Sequence, residues 1–396
     1  MDLRHREADE RFRAEFGAWL AANLPDRLRE DGLWSRSADS NEAFDARRQW
    51  EANKARAGWA GIDWPVEYGG RGGTPAQKAI YDEEVARAQA PRTVNPLGLT
   101  FFAPTVMRYG TEQQKKDIIG PLLHNDVIWC QGFSEPGAGS DLAALSTRAV
   151  RDGDEFVVTG QKVWITNAMR GDWIFSLVRT SSEGPKHAGI TMLLIDMHSP
   201  GVEARPLQQM SGSAEFGEVF FTDVRVPVTN VLGEIDRGWE VAMTLLSFER
   251  GASAIGQYTE FRHELDEVIG IAHLIERDGR PAAADPVLRQ RIANSVVELE
   301  LLRLHSLHVL TQTEAGRDLG AGASITKLQW SEAYQQVGEV FAAVTGLLHQ
   351  MPDAAPELDL SVLLEQYLWS RSVTIWGGSS EVQRNIVAER LLGLPR

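Results

Sequence analysis

Cysteine is almost missing from these 396 residues: Cys130 stands alone, so no disulfide can close within the chain. No Cys/His spacing of a zinc site accompanies it, no metal is called for, and a lone thiol suits a reducing compartment. No apolar run approaches the roughly 20 residues needed to cross a bilayer, and residues 1–10 are charged where a signal peptide would be apolar. A cytoplasmic protein without membrane attachment is therefore expected. Positive charge is also in short supply. Forty Lys and Arg face fifty-five Asp and Glu, and the net charge of −15 argues against nucleic acid and against an anionic membrane surface. The usual nucleotide signatures are missing as well: no Gly-x-Gly-x-x-Gly follows a strand, and no Walker-type Gly-Lys-Ser/Thr occurs. A dinucleotide, if one binds, must do so without a Rossmann fold.

What is present is an ordinary globular composition, 43% hydrophobic, on a chain long enough for two or three substructures. Residues 1–123 read as a helical domain, with Phe12, Phe16, Trp19 and Leu20 at helical spacing, broken by a Gly/Pro-rich stretch at 64–75. Residues 124–233 change to short β-rich runs (156–159, 173–178, 190–195) separated by Asp-Gly, Gly-Pro and Ser-Pro-Gly turns. No helices lie between these strands to build a parallel sheet. Residues 234–396 return to helix, with Val241, Leu245, Phe248, Ala252 and Ile255 on one face, and a four-helix bundle is the simplest arrangement. The fold class is α+β. Loops are expected at 278–285 and 352–356, and Cys130 reads as a packing residue in a strand.

The most informative stretch lies between 130 and 168. A turn reading Phe133, Ser134, Glu135, Pro136, Gly137, Ala138, Gly139, Ser140, Asp141 carries carboxylates at its head and tail, and Gln161, Lys162, Val163, Trp164, Ile165, Thr166, Asn167, Ala168 follow a strand later. Glycines at 137 and 139 let backbone N–H groups approach a phosphate, Ser134, Ser140 and Thr166 offer hydroxyls, and Trp164 offers a flat apolar wall. Pro and Gly are equally the ordinary residues of a plain turn. Near the end, Ser380 and Gln383 have capping-box spacing, which marks a helix start, and a helix N-terminus also suits a polar ligand.

Together these segments resemble the flavin-holding segments of the acyl-CoA dehydrogenase family, and the resemblance runs from 58 to 396. Gly58, Trp59, Ile62, Trp64, Pro65, Glu67, Tyr68, Gly69 and Gly70 are similar to the N-terminal signature of bacterial members, and residues 223–227 to the end of the family's β domain. Gly377, Gly378, Ser379, Ser380, Glu381, Val382, Gln383, Arg384 and Asn385, with Gly393, Leu394, Pro395 and Arg396, look like its C-terminal flavin-edge motif. The resemblance implies helical N-terminal, β middle and helical-bundle C-terminal domains and an FAD cofactor. Gln131, Gly132, Phe133 and Ser134 would lie along the flavin ring, with Ser134 bonding a ring heteroatom and Trp164, Ile165 and Thr166 near the reactive nitrogen. Gly139 and Ser140 would lie near the phosphates, with Ser140 also a candidate for the CoA moiety, and Ser379 and Glu381 at the flavin edge.

The family's reaction removes a proton next to the thioester carbonyl and passes a hydride from the next carbon to flavin, so a carboxylate base is required. Much of the family carries it just before the Gly-Thr/Ser of the last motif, where this chain has Gly377 preceded by Trp376. A smaller group draws the base from the first long helix after the β domain, before an arginine, and here Glu249 precedes Arg250. The resemblance thus implies Glu249 as catalytic base and Arg250 as a residue orienting the helix or the acyl-CoA. At the edge of an apolar stripe, burial would raise the Glu249 pKa into a usable range.

Typical homotetramers complete the FAD site from a neighbour with Arg-x-Thr-Phe-Gly-like and Gln-x-x-Gly-Gly segments. Here Arg277 is followed by Asp278, Gly279, Arg280 and Pro281, and the second segment reads Val340, Phe341, Ala342, Ala343, Val344. That departure is similar to one subunit of the α2β2 enzymes of actinobacterial steroid breakdown, so homotetramer and heterotetramer both stand open. The expected activity is formation of a trans-2-enoyl-CoA from an acyl-CoA with a bulky, branched or steroid-like acyl group, with an electron-transfer flavoprotein as acceptor. An acyl-CoA oxidase or flavin monooxygenase on the same scaffold, or a non-catalytic partner subunit, are the alternatives. Phe101, Phe102 and the helix around Leu245 are expected in the pocket wall.

Overall fold

A computed structural model describes residues 6–30, 40–249, 254–317, 319–351 and 355–395, without the side chains of 29, 30 and 249. In chain order it runs through α1 (Glu7–Asn23), α2 (Arg27–Glu30), α3 (Asn41–Arg56), α4 (Pro75–Arg87), α5 (Ala103–Tyr109) and α6 (Glu112–Leu123). Strands β1 (Trp129–Gly132), β2 (Arg148–Asp152), β3 (Glu155–Thr166), β4 (Trp173–Arg179), β5 (Ile190–Asp196), β6 (Val202–Leu207) and β7 (Phe216–Pro227) follow. Then come α7 (Gly238–Glu249), α8 (Ala254–Leu274), a hairpin of β8 (Glu276–Arg277) and β9 (Arg280–Pro281), α9 (Pro286–Glu314), α10 (Ala323–Thr345), α11 (Ser361–Trp369) and α12 (Ser380–Ile386). Local chemistry sets several of these starts. Thr74 and Gln77 close a capping box on α4 with Pro75 in its first turn, and Thr111 and Gln114 do the same for α6.

Two units divide the chain. One comprises Met1–Ala38, Gly73–Pro91 and Arg250–Arg396, the other Asp39–Gly72 and Arg92–Glu249. In the first, α8, α9 and α10 pack on one another, α4 lies against α8 and α9, and α11 against α10. Phe261, Leu265, Val268 and Ala272 line one stripe of α8 and meet Tyr334, Val337, Phe341 and Val344 of α10 in a single core, where the Phe261 and Tyr334 rings stack at 4.3 Å. The expected loop at 278–285 is a tight hairpin: Asp278 and Gly279 both take positive φ between β8 and β9, as a two-residue Asp-Gly turn requires. Residues 352–354 of the second expected break lie outside the described residues.

In the second unit the strands form one sheet in the order β1-β4-β2-β3-β7-β6, with β5 on β4. Most pairs are antiparallel, but β1 runs parallel to β4, a pairing that strand spacing in the sequence does not announce. Strands β4 and β5 are apolar on both faces, and the reason is visible in their neighbours. Ile174, Val178, Leu193 and Ile195 join the core shared with β3 and β7, while Phe175, Leu177, Met192 and Leu194 join the core built with α5, α6 and α7. Cys130 on β1 is fully buried in the first of these cores. Among the described residues no helix is long and apolar enough to cross a membrane.

Candidate functional site

Two bulges shape the long antiparallel pairing of β3 and β7. Between Lys162 and Ile165 the register gives β3 one residue more than β7, and the extra backbone twist falls on Trp164, whose φ is +61°. The bulge changes which residues face inward. Phe156, Val158 and Lys162 are buried at even positions, and after the bulge the buried residue is Ile165. Trp164 is thereby turned outward, 61% exposed, with its ring edge-on to Phe216 at 6.4 Å. A non-glycine residue in this conformation is uncommon and marks a place where neighbouring structure imposes it.

The Gly-rich turn is fastened to this bulge. Val163 N–H donates to the Ser134 carbonyl at 2.9 Å, which sets Ser134 beside the segment carrying Trp164 and Thr166. Behind it, Glu135 and Lys162 form a buried ion pair at 2.8 Å, with Lys162 fully enclosed and Glu135 6% exposed. Lys162 Nζ also donates to the Phe133 carbonyl at 3.1 Å, while Glu135 accepts from the N–H groups of Ser146 and Thr147 at 2.7 and 2.9 Å and from the Ser146 hydroxyl at 2.8 Å. Burial alone would raise the Glu135 pKa, but the Lys162 ammonium and these donors outweigh it and hold the carboxyl at about 2. The sequence reading quoted both residues without pairing them. The signal was present: Lys162 shares the inward parity of Phe156 and Val158.

The anticipated site residues fall into distinct groups. Half-buried Gln131, Ser134 and Thr166 have side chains without a protein hydrogen-bond partner among the described residues, so their polar atoms are available to a ligand. Gly139, like Gly137, borders open space, since an added Cβ would meet nothing within 4 Å, and Ser140 is exposed beside them. Glycine at both positions therefore answers to no crowding within the chain, and room is left for a group outside it. Phe133 and Ile165 instead bury their side chains in the two cores, leaving only backbone for a ligand. Gly132 has a reason inside the protein: a Cβ there would lie 2.7 Å from Ser176 Oγ, which donates to the Gly132 carbonyl. Phe102 and Leu245 are likewise fully buried core residues, with Phe102 stacked on Phe175 at 4.5 Å, so neither presents accessible wall.

Glu249 closes α7, a helix whose Val241, Ala242 and Leu245 are buried in the same unit as β1 and β3. Its side chain and all of Arg250 lie outside the described residues. Ser379 and Glu381 belong to the other unit. There the helix cap sits one residue earlier than the spacing suggested: Ser379 accepts from Val382 N–H at 3.3 Å, and Gln383 donates to the Gly377 carbonyl at 2.9 Å. Gly377 and Gly378 take φ of +65° and +85° to make that turn. The Glu381 backbone N–H and the Ser379 hydroxyl keep the Glu381 carboxyl below its ordinary range. Arg277 is spent locally, donating to the carbonyls of Ala343 and Val344 at 2.6 and 2.9 Å. No cluster of three or more His, Cys, Asp or Glu that could hold a metal occurs among the described residues.

Comparison with known proteins adds three results. Family models match end to end: acyl-CoA dehydrogenase N-terminal domain over 7–126, middle domain over 130–224 and C-terminal domain over 236–392. Acyl-CoA dehydrogenase IpdE1 of Mycobacterium tuberculosis is 41% identical over 392 residues, covering 98% of each chain. Among solved structures, the Tcur3481-Tcur3483 steroid ACAD superposes with a TM-score of 0.85 at 33% identity over the whole of both chains, and the ChsE4-ChsE5 complex from Mycobacterium tuberculosis with 0.85 at 30%, again over the whole of both.

Proposed function

The chain belongs to the acyl-CoA dehydrogenase family of FAD-dependent oxidoreductases, and on that premise we propose that it converts a bulky or branched, steroid-like acyl-CoA to the trans-2-enoyl-CoA. The observation that carries the reading is the edge built by the bond from Val163 to Ser134. Two half-buried hydroxyls without protein partners among the described residues, Ser134 and Thr166, sit on the two segments this bond joins, Thr166 two residues after the outward-facing Trp164. That donor set fits a flavin ring: hydroxyls for its polar edge, an aromatic face for its apolar body, and open space over Gly137 and Gly139 for the diphosphate. When bound, FAD supplies the acceptor for the hydride leaving the β-carbon. Glu249 takes the proton from the α-carbon onto its carboxylate, since Gly377 leaves the family's other position without one. Ser140 meets the phosphates or the CoA moiety and Arg250 orients the helix or the acyl-CoA, while Gln131, Gly132, Phe133, Gly139 and Ile165 add FAD contacts, several through backbone alone; Ser379 and Glu381 are assigned to the flavin edge on the family motif alone. Holding the acyl chain against this edge supplies much of the rate.

The steroid-like substrate rests on the names of the relatives, one neighbour being a steroid ACAD. An α2β2 assembly with a second dehydrogenase-like chain is supported by neighbours that pair two different chains, and by Arg277, whose guanidinium is engaged on its own α10. An electron-transfer flavoprotein would reoxidise the enzyme, and the single buried thiol suits the reducing cytoplasm. The test is Glu249→Gln. The variant should retain stoichiometric flavin absorbance, yet acyl-CoA should no longer bleach it; wild-type turnover would remove Glu249 from its role. Expression alone and beside a second chain tests the assembly, by whether the visible flavin spectrum needs the partner.

A further inference from the structure

Glu135 and Lys162 fill buried space, but a charged pair is an expensive way to do so: well-packed apolar residues of similar volume are usually as stable or more so. What the pair does have is reach. Through it three backbone segments meet at one point, with Lys162 Nζ on Glu135 Oε1 and the Phe133 carbonyl, and Glu135 on the amides of Ser146 and Thr147. Glu135 and Ala138 also exchange backbone hydrogen bonds at 3.0 Å each, closing the turn that follows. On the chain, Ser134 lies between Phe133 and Glu135, both held by Lys162, and Val163, which donates to Ser134, is the residue after Lys162. The lock therefore brackets the one bond that sets Ser134 against the Trp164 bulge.

We propose that Glu135 and Lys162 are positioning residues, whose buried ion pair fixes the register of Ser134 against Trp164 and Thr166 so that the flavin meets a preformed edge rather than two independent segments. This rests on the reading of that edge as flavin-facing. Neither residue touches the reacting atoms; each acts through Ser134 and the bulge. Directional bonds from an ammonium and a carboxylate specify a register that apolar contacts would leave free to slide.

Hydrogen exchange by mass spectrometry on the full chain, with its partner chain where flavin binding needs one, tests the lock directly. In Glu135→Gln and Lys162→Met, peptides covering 131–140 and 161–167 should exchange at least about tenfold faster while those over β5 hold, and the FAD dissociation constant should rise by at least about tenfold. The double variant Glu135→Gln/Lys162→Met leaves no lone buried charge, so its melting temperature should recover. Its fast local exchange and weak FAD binding should persist. Recovery of all three in the double variant, or exchange that rises evenly through the unit, would mean that the pair serves stability alone and would overturn the proposal. Normal FAD affinity in folded single variants would do the same. A wild-type chain that takes no FAD, alone or with a second dehydrogenase-like chain, would instead sink the functional reading beneath it.

Discussion

Replacing Glu135 by Gln should cost stability in a way that depends on pH, because Gln has the shape of the protonated acid. The carboxyl titrates at about 2 in the folded chain against an ordinary 4.5, which corresponds to about 3 kcal/mol of stability tied to its charge. The sign follows from a depressed carboxylate. The contribution is complete above the unfolded value near 4.5, falls away as pH drops, and is gone below the folded value near 2. Solvent screening takes little from it, since Glu135 is 6% exposed and its partner is fully enclosed. Wild type should therefore exceed the variant by about 3 kcal/mol at pH 6, and the two should converge as pH approaches 2. At about 2–4 °C per kcal/mol for a unit of this size, the gap is roughly 6–12 °C in melting temperature, readable by calorimetry from pH 6 downward. Other carboxylates titrate in the same range, but they are common to both proteins and cancel in the difference. A gap that stays constant over that window would refute the reasoning, because it would show that the charge of Glu135 is not what the fold uses.

The bulge makes a second prediction. With Trp164 at φ +61°, Trp164→Gly should be at least as stable as Trp164→Ala, by about 1 kcal/mol, because only glycine occupies that backbone region without a penalty; thermal melts in which the alanine variant wins would mean that the left-handed turn is not maintained in solution. Cys130 makes a third. Burial, with a smaller push from Asp172, drives its thiol pKa up to about 12, so iodoacetamide at pH 8 should leave the native chain unlabelled and modify it only on unfolding, and stoichiometric labelling of folded protein would contradict that burial.

Much of this architecture was legible because one-dimensional patterns decide it. The switch from three-and-four spacing to short β runs near 127 and back again near 233 marks where helices stop and strands begin, since each element must turn its apolar residues to a neighbour. The runs at 173–178 and 190–195 are apolar apart from the buried Ser176 and Thr191, because β4 and β5 are covered on both faces. Cap geometry was legible only to within a residue. Ser379 and Ser380 both offer a hydroxyl, and the choice between them is made by Gly377 and Gly378, whose positive φ leaves Ser379 extended at the helix entrance.

The parts that decide the site are those a strand cannot specify alone. A bulge is a mismatch of count between two partners, so the inward position of Ile165 after Lys162 depends on β7, more than fifty residues downstream. From β3 alone, strict alternation would carry the inward set on to Trp164 and turn Ile165 outward, the reverse of what the sheet does. The ion pair is the same kind of fact. A glutamate at the head of a turn and a lysine of inward parity in a strand have no visible partner in the sequence until the turn is known to close over that strand. Once it does, the energetics reverse, for neither charge can be enclosed without the other. The residues that would touch a flavin are recognisable as types, whereas the residues that make them an edge become recognisable only through their pairing, and substitutions at Glu135 and Lys162 are therefore the sharper probe of how this chain builds its site.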